Sequence, residues 1–477
     1  MSGFSLRHYQ RKGINLVYEA MKSGHRKVIF HLATGGGKSH SFCVMIKELL
    51  DSGAPVVICV KRRELITQAS RNLTKHDISH GVYMSKHRRF RPKELVQICS
   101  IDTLDARNLY PHSDLTPVII IDEAHDCRPS GKKYVRFLDE YPNSPVVGFT
   151  ATPYGDNGLF DKIVKPIEMH ELLEQGFLTP VKMFTPNQID VSNVKIKRTG
   201  DYDEKELFRA ASSSQIIGDF VRDWQAYSQG RPTVLFAVNI EHSEMIAKAF
   251  NDAGIVAVHA DAKTKTEKRE HLLRRLGNGE IKVLCNVNIF STGVDLPAIS
   301  CIQVCRPTQS LIWYLQSIGR GLRPSPETGK TNCIIIDNAG NTFRFGSPFK
   351  AHNATIEKSA RRDPDEEDIT IRRCKSCNFI FEADQKICPE CNYINPPVER
   401  KIKHSDGDLV EYNLSPEEQV QMEKGLIMAD CFKLKHVARK RGFKKTWIFF
   451  QLKNKYGVDK LETNKEDVFT ALSDYEV

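Results

Sequence analysis

Ala33-Thr34-Gly35-Gly36-Gly37-Lys38-Ser39 and Asp122-Glu123-Ala124-His125 carry the residue types that phosphate-transfer chemistry needs. In a glycine-rich loop opening a helix, backbone N–H groups close around phosphate oxygens, the lysine reaches the β/γ oxygens, and the hydroxyl ligates Mg²⁺. Thr34, Gly35, Gly36, Gly37, Lys38 and Ser39 form such a set. An acidic residue ending a buried strand can hold the same metal, and the glutamate beside it can orient the water that attacks the γ-phosphate. Asp122 and Glu123 follow the apolar run Val118 to Ile121 and fit those two roles. Either half alone also fits a plain loop. In this order, at the ends of two expected strands, they specify a nucleoside triphosphatase site for ATP and Mg²⁺. The loop is the shortened variant, with Leu32 where G-x-x-x-x-G-K has its first glycine.

Gln316-Ser317-Ile318-Gly319-Arg320-Gly321-Leu322-Arg323 supplies what the first half lacks. On a helix, Gln316, Arg320 and Arg323 share a face, so two guanidinium groups can point at a transferring phosphoryl group and stabilise its charge. The bland alternative is a solvated basic helix end. Ser291-Thr292-Gly293-Val294-Asp295 permits close backbone approach to a phosphate chain through Thr292 and Gly293, with Asp295 bonding a ribose hydroxyl or Arg320; a plain turn looks similar. Thr150 and Thr152, in Thr150-Ala151-Thr152-Pro153, can link the carboxylates to a domain interface. Arg63 and Thr103 are candidate nucleic-acid contacts, each equally readable as a helix cap, and the loop His80 to Arg91 is another basic candidate, although such a run is more often merely solvated.

Cys374-x2-Cys377 and Cys388-x2-Cys391 present four thiolates at the spacing of one structural, tetrahedral Zn²⁺, with Asn378 to Phe381 fitting a hairpin strand between them. The other nine of 13 cysteines lie in or beside apolar runs and read as buried hydrophobes, without a disulfide framework.

These groups need two sheets to hold them. Strands are expected at Lys27 to Leu32, Pro55 to Val60, Leu95 to Ser100, Val118 to Ile121 and Val146 to Thr150, alternating with helices as in a doubly wound parallel sheet, α/β in class. A second block repeats the pattern at Thr233 to Val238, Ile255 to His259, Lys282 to Val287, Ser300 to Val304 and Asn332 to Ile336. The expected divisions are a nucleotide-binding domain (1–185), a connection (186–214), a second sheet domain (215–345), a linker (346–371), the four-cysteine zinc module (372–397) and a basic, mainly helical C-terminal tail (398–477). In that tail Arg439 to Trp447 interleaves cations with aromatics; it reads either as a base-stacking surface or as the rim of a small core around Trp447, Phe449 and Phe450.

Read in order, Leu6-Arg7-x-Tyr9-Gln10, A-T-G-G-G-K-S, R-E-L, D-E-A-H, T-A-T-P, S-T-G-V-D and Q-x-x-G-R-G-x-R resemble the motif series of superfamily 2 helicases across residues 4–340. The resemblance implies two tandem RecA-like domains, with Gln10 reading adenine, Lys38, Ser39, Asp122 and Glu123 handling phosphates, metal and water, and Arg320 and Arg323 acting as fingers. It also implies coupling or DNA-binding roles for Arg63, Thr103, His125, Thr150, Thr152, Thr292, Gly293 and Gln316. T-A-T-P with Q-x-x-G-R looks like DNA-directed members. Thr266 to Glu270, Arg306-Pro307-Thr308 and the cysteine module are similar to RadD-like repair helicases, and the compact size to T5-type phage branch-migration helicases. The implied activity is ATP-dependent movement on single-stranded, forked or branched DNA in replication, recombination or repair, with replication or recombination proteins as further partners. An RNA helicase is one alternative, and a non-motor zinc-containing nucleic-acid-binding adaptor another.

The 477-residue chain is long for one core, and its formal charge of +10 favours a polyanionic partner. Neither an apolar leader nor a membrane-length apolar run is found, so a monomeric cytoplasmic protein is expected (in the host cytoplasm if phage-encoded).

Overall fold

The computed structural model describes residues 5–61, 63–84, 87–107, 110–154, 157–186, 189–197, 200–290, 297–349 and 371–396, together with part of 424–472; of residues 63 and 64 it describes the backbone. Thr292, Gly293 and Asp295, the Arg63 side chain and the tail residues 439–442 lie outside that description.

Seven parallel strands form the first sheet: β1 (Lys27–His31), β2 (Val56–Val60), β3 (Gly81–Tyr83), β4 (Val96–Ser100), β5 (Val118–Asp122), β6 (Val146–Thr150) and β7 (Lys162–Val164). Their order is β3-β4-β2-β5-β6-β1-β7. β2, β4 and β6 are buried throughout, and such near-continuous Val/Ile runs are what a sheet covered on both faces requires. The five expected strands are present. Two further strands, β3 and β7, form the edges; at three residues each they carry no periodicity that marks them in the sequence.

The second sheet contains β8 (Val181–Phe184), β9 (Thr233–Phe236), β10 (Ala257–Ala260), β11 (Val283–Asn286), β12 (Cys301–Val304) and β13 (Cys333–Asp337), ordered β10-β11-β9-β12-β13-β8 and again parallel. β8 precedes residue 185, yet it pairs with β13 through Val181↔Cys333 to Phe184↔Ile336. The chain therefore enters its second lobe earlier than the sequence pattern indicated. The stretch expected to be a connection also joins that lobe. Ile189, Tyr202, Leu207 and Ala211 pack with Phe220, Trp224 and Phe250 in one core, and the Asp201 carboxylate accepts from Arg306, Thr308 and the Gln309 N–H.

β14 (Ile371–Arg373) and β15 (Ile380–Glu382) form an antiparallel hairpin in the cysteine module. The module caps the β8 edge. Phe184 stacks on Tyr227 at 4.6 Å and meets Phe379 edge-on at 5.6 Å. The Thr185 N–H donates to the Asn378 carbonyl, the Asn378 amide to the Tyr227 hydroxyl, and Arg373 to the Pro186 carbonyl. Residues 399–477 form a separate compact unit. Its core is Ile427, Cys431, Ala438, Ile448, Leu452, Val468 and Leu472, with Trp447 and Phe449 packed against it. Phe450, a core residue in one of the two readings of this segment, is exposed, because it lies on the opposite face of the helix Lys445–Tyr456 from Ile448 and Leu452.

The nine cysteines outside the module are all buried and free. Among the described residues no helix is long and apolar enough to cross a membrane.

Candidate active site between two parallel-sheet lobes

The phosphate-loop residues sit where β1 gives way to the helix Lys38–Asp51, whose first N–H groups open toward the loop. Gly37 caps that helix at φ 89°, and a Cβ there would lie 2.2 Å from Gln10 Nε2, so both conformation and space demand glycine. Gln10 is buried against the loop: its amide donates to the Gly36 carbonyl at 3.0 Å and its Oε1 accepts from the Arg7 N–H at 2.9 Å. The Tyr9 hydroxyl donates to the same Gly36 carbonyl at 2.9 Å. The Leu6 to Gln10 motif thus shapes the loop directly.

Asp122 ends β5, and Glu123 follows in the left-handed region at φ 55°, a conformation that is costly for a non-glycine residue and is held here by its surroundings. Glu123 Oε2 lies 3.4 Å from Lys38 Nζ and 3.4 Å from His125 Nδ1. The neighbouring carboxyls are pushed apart in acidity. Burial, then the adjacent Glu123 charge, raises Asp122 to about 6. Burial also pushes Glu123 upward, but Lys38, His125 and Arg320 together outweigh it and hold Glu123 below its ordinary value. An ionised Glu123 beside an Asp122 that favours a positive neighbour suits water orientation and cation binding respectively.

His125, whose proton affinity burial lowers against the pull of Glu123 and Asp126, links three elements. Its Nδ1 is 3.0 Å from Thr150 Oγ1 and 3.5 Å from Thr152 Oγ1, and its Nε2 is 3.5 Å from Gln316 Nε2 of the second lobe, 191 residues away. Thr150 ends β6 and Thr152 follows it, Arg63 opens the helix after β2, and Thr103 lies in the helix Ile101–Arg107 after β4. Because these strands are parallel, all of these positions fall at the same carboxyl edge, the ligand edge of such sheets.

The helix carrying Gln316 ends at Ile318, and Gly319–Leu322 is a tighter turn, with Arg323 in extended backbone. The shared helical face expected for Gln316, Arg320 and Arg323 therefore does not exist, because the glycines end the α-helix before the arginines. The turn brings both arginines to the first lobe by another route. A Cβ on Gly319 would lie 2.5 Å from Thr34 Cβ, so only glycine lets the turn lie on the phosphate loop. Arg320, buried beside it, is one of the charges that lower Glu123. Arg323 passes Gly35, where an added Cβ would lie 3.7 Å from Arg323 Cγ. Two carboxylates and a lysine of the first lobe thus meet Arg320 of the second, with the Arg323 stem beside the phosphate loop, an arrangement able to bind and cleave a nucleoside triphosphate.

Sequence reasoning missed Lys330. Its Nζ, with three N–H groups, lies within hydrogen-bonding distance of four carbonyls: Ile299 (2.5 Å), Gly321 (2.7 Å), Arg323 (2.8 Å) and Pro297 (3.0 Å). It ties the arginine turn to the segment just after Ser291 to Asp295. Its sole mark in the sequence is a lysine between Gly329 and an apolar strand, which carries no chemical signature.

Two parallel-sheet lobes sharing one phosphate site define a tandem RecA-like nucleotide-driven protein. Two family models match the chain: the type III restriction enzyme res subunit over residues 3–155 and the helicase conserved C-terminal domain over residues 215–325. A 51.5 kDa protein of a Lactococcus phage is 28% identical over 431 residues, covering 88% of this chain and 87% of that protein. IRC3 of Saccharomyces cerevisiae, named as a candidate ATP-dependent helicase, is 31% identical over 359 residues, 70% of this chain and 51% of IRC3, so the chain spans about half that relative's length. A solved fragment of a candidate HsdR subunit of a type I restriction enzyme from Vibrio vulnificus shares the fold, with a TM-score of 0.58 at 18% identity over 74% of this chain and 70% of that one. The chain belongs to the superfamily 2 helicases, which are nucleic-acid-dependent ATPases.

Glu123→Gln is expected to keep ATP binding, since Lys38 and Ser39 remain, and to lose hydrolysis. Arg320→Ala should retain most nucleotide affinity while turnover falls on the order of 10³-fold or more, as for other arginine fingers. Equilibrium binding of a fluorescent ATP analogue beside steady-state hydrolysis tests both, and parental turnover in Arg320→Ala would show that the lobes do not share a site.

Lys330→Met should lower kcat by about 10²-fold with little change in KM for ATP, the scale of misplaced catalytic groups. Burial lowers Lys330 from 10.5 to about 8. Turnover of the parent should therefore fall through pH 8 as the ammonium loses a donor, and the variant should lack that limb. A lysine depressed in the fold binds fewer protons than in the unfolded chain between about 8 and 10.5, so this group makes stability rise across that window. Falling turnover with rising or steady stability separates loss of positioning from unfolding, and an identical alkaline limb in Lys330→Met would refute the assignment.

Proposed function

We propose that the protein is an ATP-dependent DNA helicase or translocase acting on forked or branched DNA in replication, recombination or repair. The observation that carries the motor reading is the composite site: Arg320 of the second lobe acts on Glu123 of the first, and Gln316 meets His125. Lys38 grips the β/γ-phosphates, Ser39 and Asp122 would hold Mg²⁺, Glu123 orients the attacking water, and Arg320 and Arg323 offset charge on the transferring phosphoryl group. Mg²⁺, when bound, neutralises charge on the phosphate oxygens. His125, Thr150, Thr152 and Gln316 are proposed to pass the state of the phosphate site to the lobe interface. DNA is favoured over RNA by the T-A-T-P and Q-x-x-G-R motifs and by likeness to proteins named for restriction enzymes. The net charge of +10 suits phosphate contacts, and binding should be salt-sensitive.

Zinc is proposed as the structural ion of the cysteine module. The four sulfurs lie within 4.8 Å of one another, with Cys374–Cys391 at 3.6 Å and Cys377–Cys388 at 3.7 Å. A tetrahedron with Zn–S of ~2.3 Å has edges of about 3.8 Å, which matches. All four positions belong to protein, so the ion's role is to hold the module against β8.

ATP hydrolysis should be stimulated more by four-way or forked DNA than by RNA of equal length; equal or greater stimulation by RNA would move the assignment to an RNA helicase. If neither nucleic acid changed the rate, a motor reading would fail in favour of an adaptor.

Purified protein should contain about one zinc per chain. Cys377→Ser should lose it and become protease-sensitive within the module, because thiolate ligation supplies much of a small domain's folding energy. Metal analysis finding no zinc in protein prepared without chelators would remove the assignment.

A further inference from the structure

A second basic surface lies outside the phosphate site. The last two turns of the helix Arg63–Lys75 and the turn that follows β3 enclose an open groove lined by Arg71, Thr74, Lys75, His87, Arg88 and Arg89. None of the described residues lining it is acidic. The groove is built on a fixed floor. The Arg89 carbonyl accepts from the Val82 N–H at 2.8 Å, which fastens the turn to the sheet edge, and Arg89 Nη1 donates to Thr74 Oγ1 at 3.1 Å and lies 3.3 Å from His80 Nε2. His80 is buried and bonds Ser70 and the Ile78 carbonyl, so the guanidinium rests on an ordered, polar base.

Two further observations bear on what fits there. Phe90, next in the chain, is 56% exposed and meets Tyr83 edge-on at 5.2 Å, leaving a large aromatic face in solvent beside the cations. On the other rim, Arg71 pairs through both terminal nitrogens with Glu270 of the second lobe at 3.1 Å. A cationic channel alone fits any polyanion. Cations with an exposed ring beside them fit a single-stranded nucleic acid, whose phosphates follow the charges and whose unpaired bases stack.

We propose that this groove holds a single-stranded segment of the DNA substrate, its backbone along Lys75, Arg88 and Arg89 and one base on Phe90. The inference rests on the DNA-helicase reading above and adds to it a second contact on the outer side of the first lobe. Because Arg71 is held by Glu270, a phosphate entering the groove competes with the contact between the lobes, and strand capture is thereby linked to lobe closure.

The test is anisotropy of a labelled oligo-dT strand with the full chain, without nucleotide, at several salt concentrations. Lys75→Glu with Arg88→Glu should weaken binding at least tenfold. It should also flatten the slope of log K against log salt by about 1.4, the loss of two phosphate contacts on a single strand. Phe90→Ala should weaken binding on the order of tenfold with the slope unchanged. Lys205→Glu with Lys248→Glu, the same charge change on exposed positions of the second lobe, should do neither, and ATP hydrolysis without DNA should be parental in all three. If the parent binds the strand and the groove variants bind it with the same affinity and slope, the groove inference is overturned while the DNA-helicase reading stands. If the parent binds no DNA at all, that reading fails first and the groove inference with it.

Discussion

The structure turns on the close approach of Gly319 to Thr34. A single methyl at Gly319 would stand 2.5 Å from Thr34 Cβ and wedge the second lobe away from the phosphate loop. With glycine there, the next residue, Arg320, comes close enough to Glu123 to lower its proton affinity, and Gln316 reaches His125. Electrostatic help falls off with distance and with water between the charges, so a site divided between lobes works only while they are in contact. Lys330 sets the other half of that geometry by anchoring the carbonyls of Gly321 and Arg323 to the segment leading into β12. The arginine turn is therefore held from behind by an ammonium and admitted in front by a missing side chain.

Within the first lobe the same economy governs the carboxylates. Asp122 and Glu123 are adjacent in sequence and alike in chemistry, yet their surroundings drive them in opposite directions. Glu123 lies against Lys38 and His125 and feels Arg320, whereas Asp122 is half-buried beside the Glu123 charge. The left-handed backbone at Glu123 makes this possible, because it turns the second carboxylate toward the lysine as the strand ends.

The cysteine module is an extension of the second lobe. β8 is an edge strand, and edges invite unwanted pairing unless covered. Phe379, Asn378 and Arg373 cover it through an edge-on aromatic contact and bonds to the carbonyl or N–H groups of Thr185 and Pro186. Lys182 adds an ion pair to Glu390 at 2.8 Å. Whatever moves the second lobe therefore carries the module with it.

The sequence by itself determined the chemistry and most of the sheets. A glycine-rich loop before Lys38-Ser39, paired acids after a Val/Ile run, and two C-x-x-C knuckles are local patterns whose meaning lies in residue type and spacing, and the ten long strands are periodic enough to read. The three-residue edge strands β3 and β7 carry too few residues for that, and the place of β8 in the second sheet has no local signature, because its pairing with β13 is a contact between distant segments. The tertiary structure alone decided how the arginines reach the site, since a helical face extrapolated past Gly319 ignores where glycine ends a helix. It alone decided the part played by Lys330, whose four partners are backbone carbonyls that any sequence could supply. Local chemistry is written in side chains, whereas the joining of two lobes depends on backbone positions and close approaches that exist only once both sheets have folded.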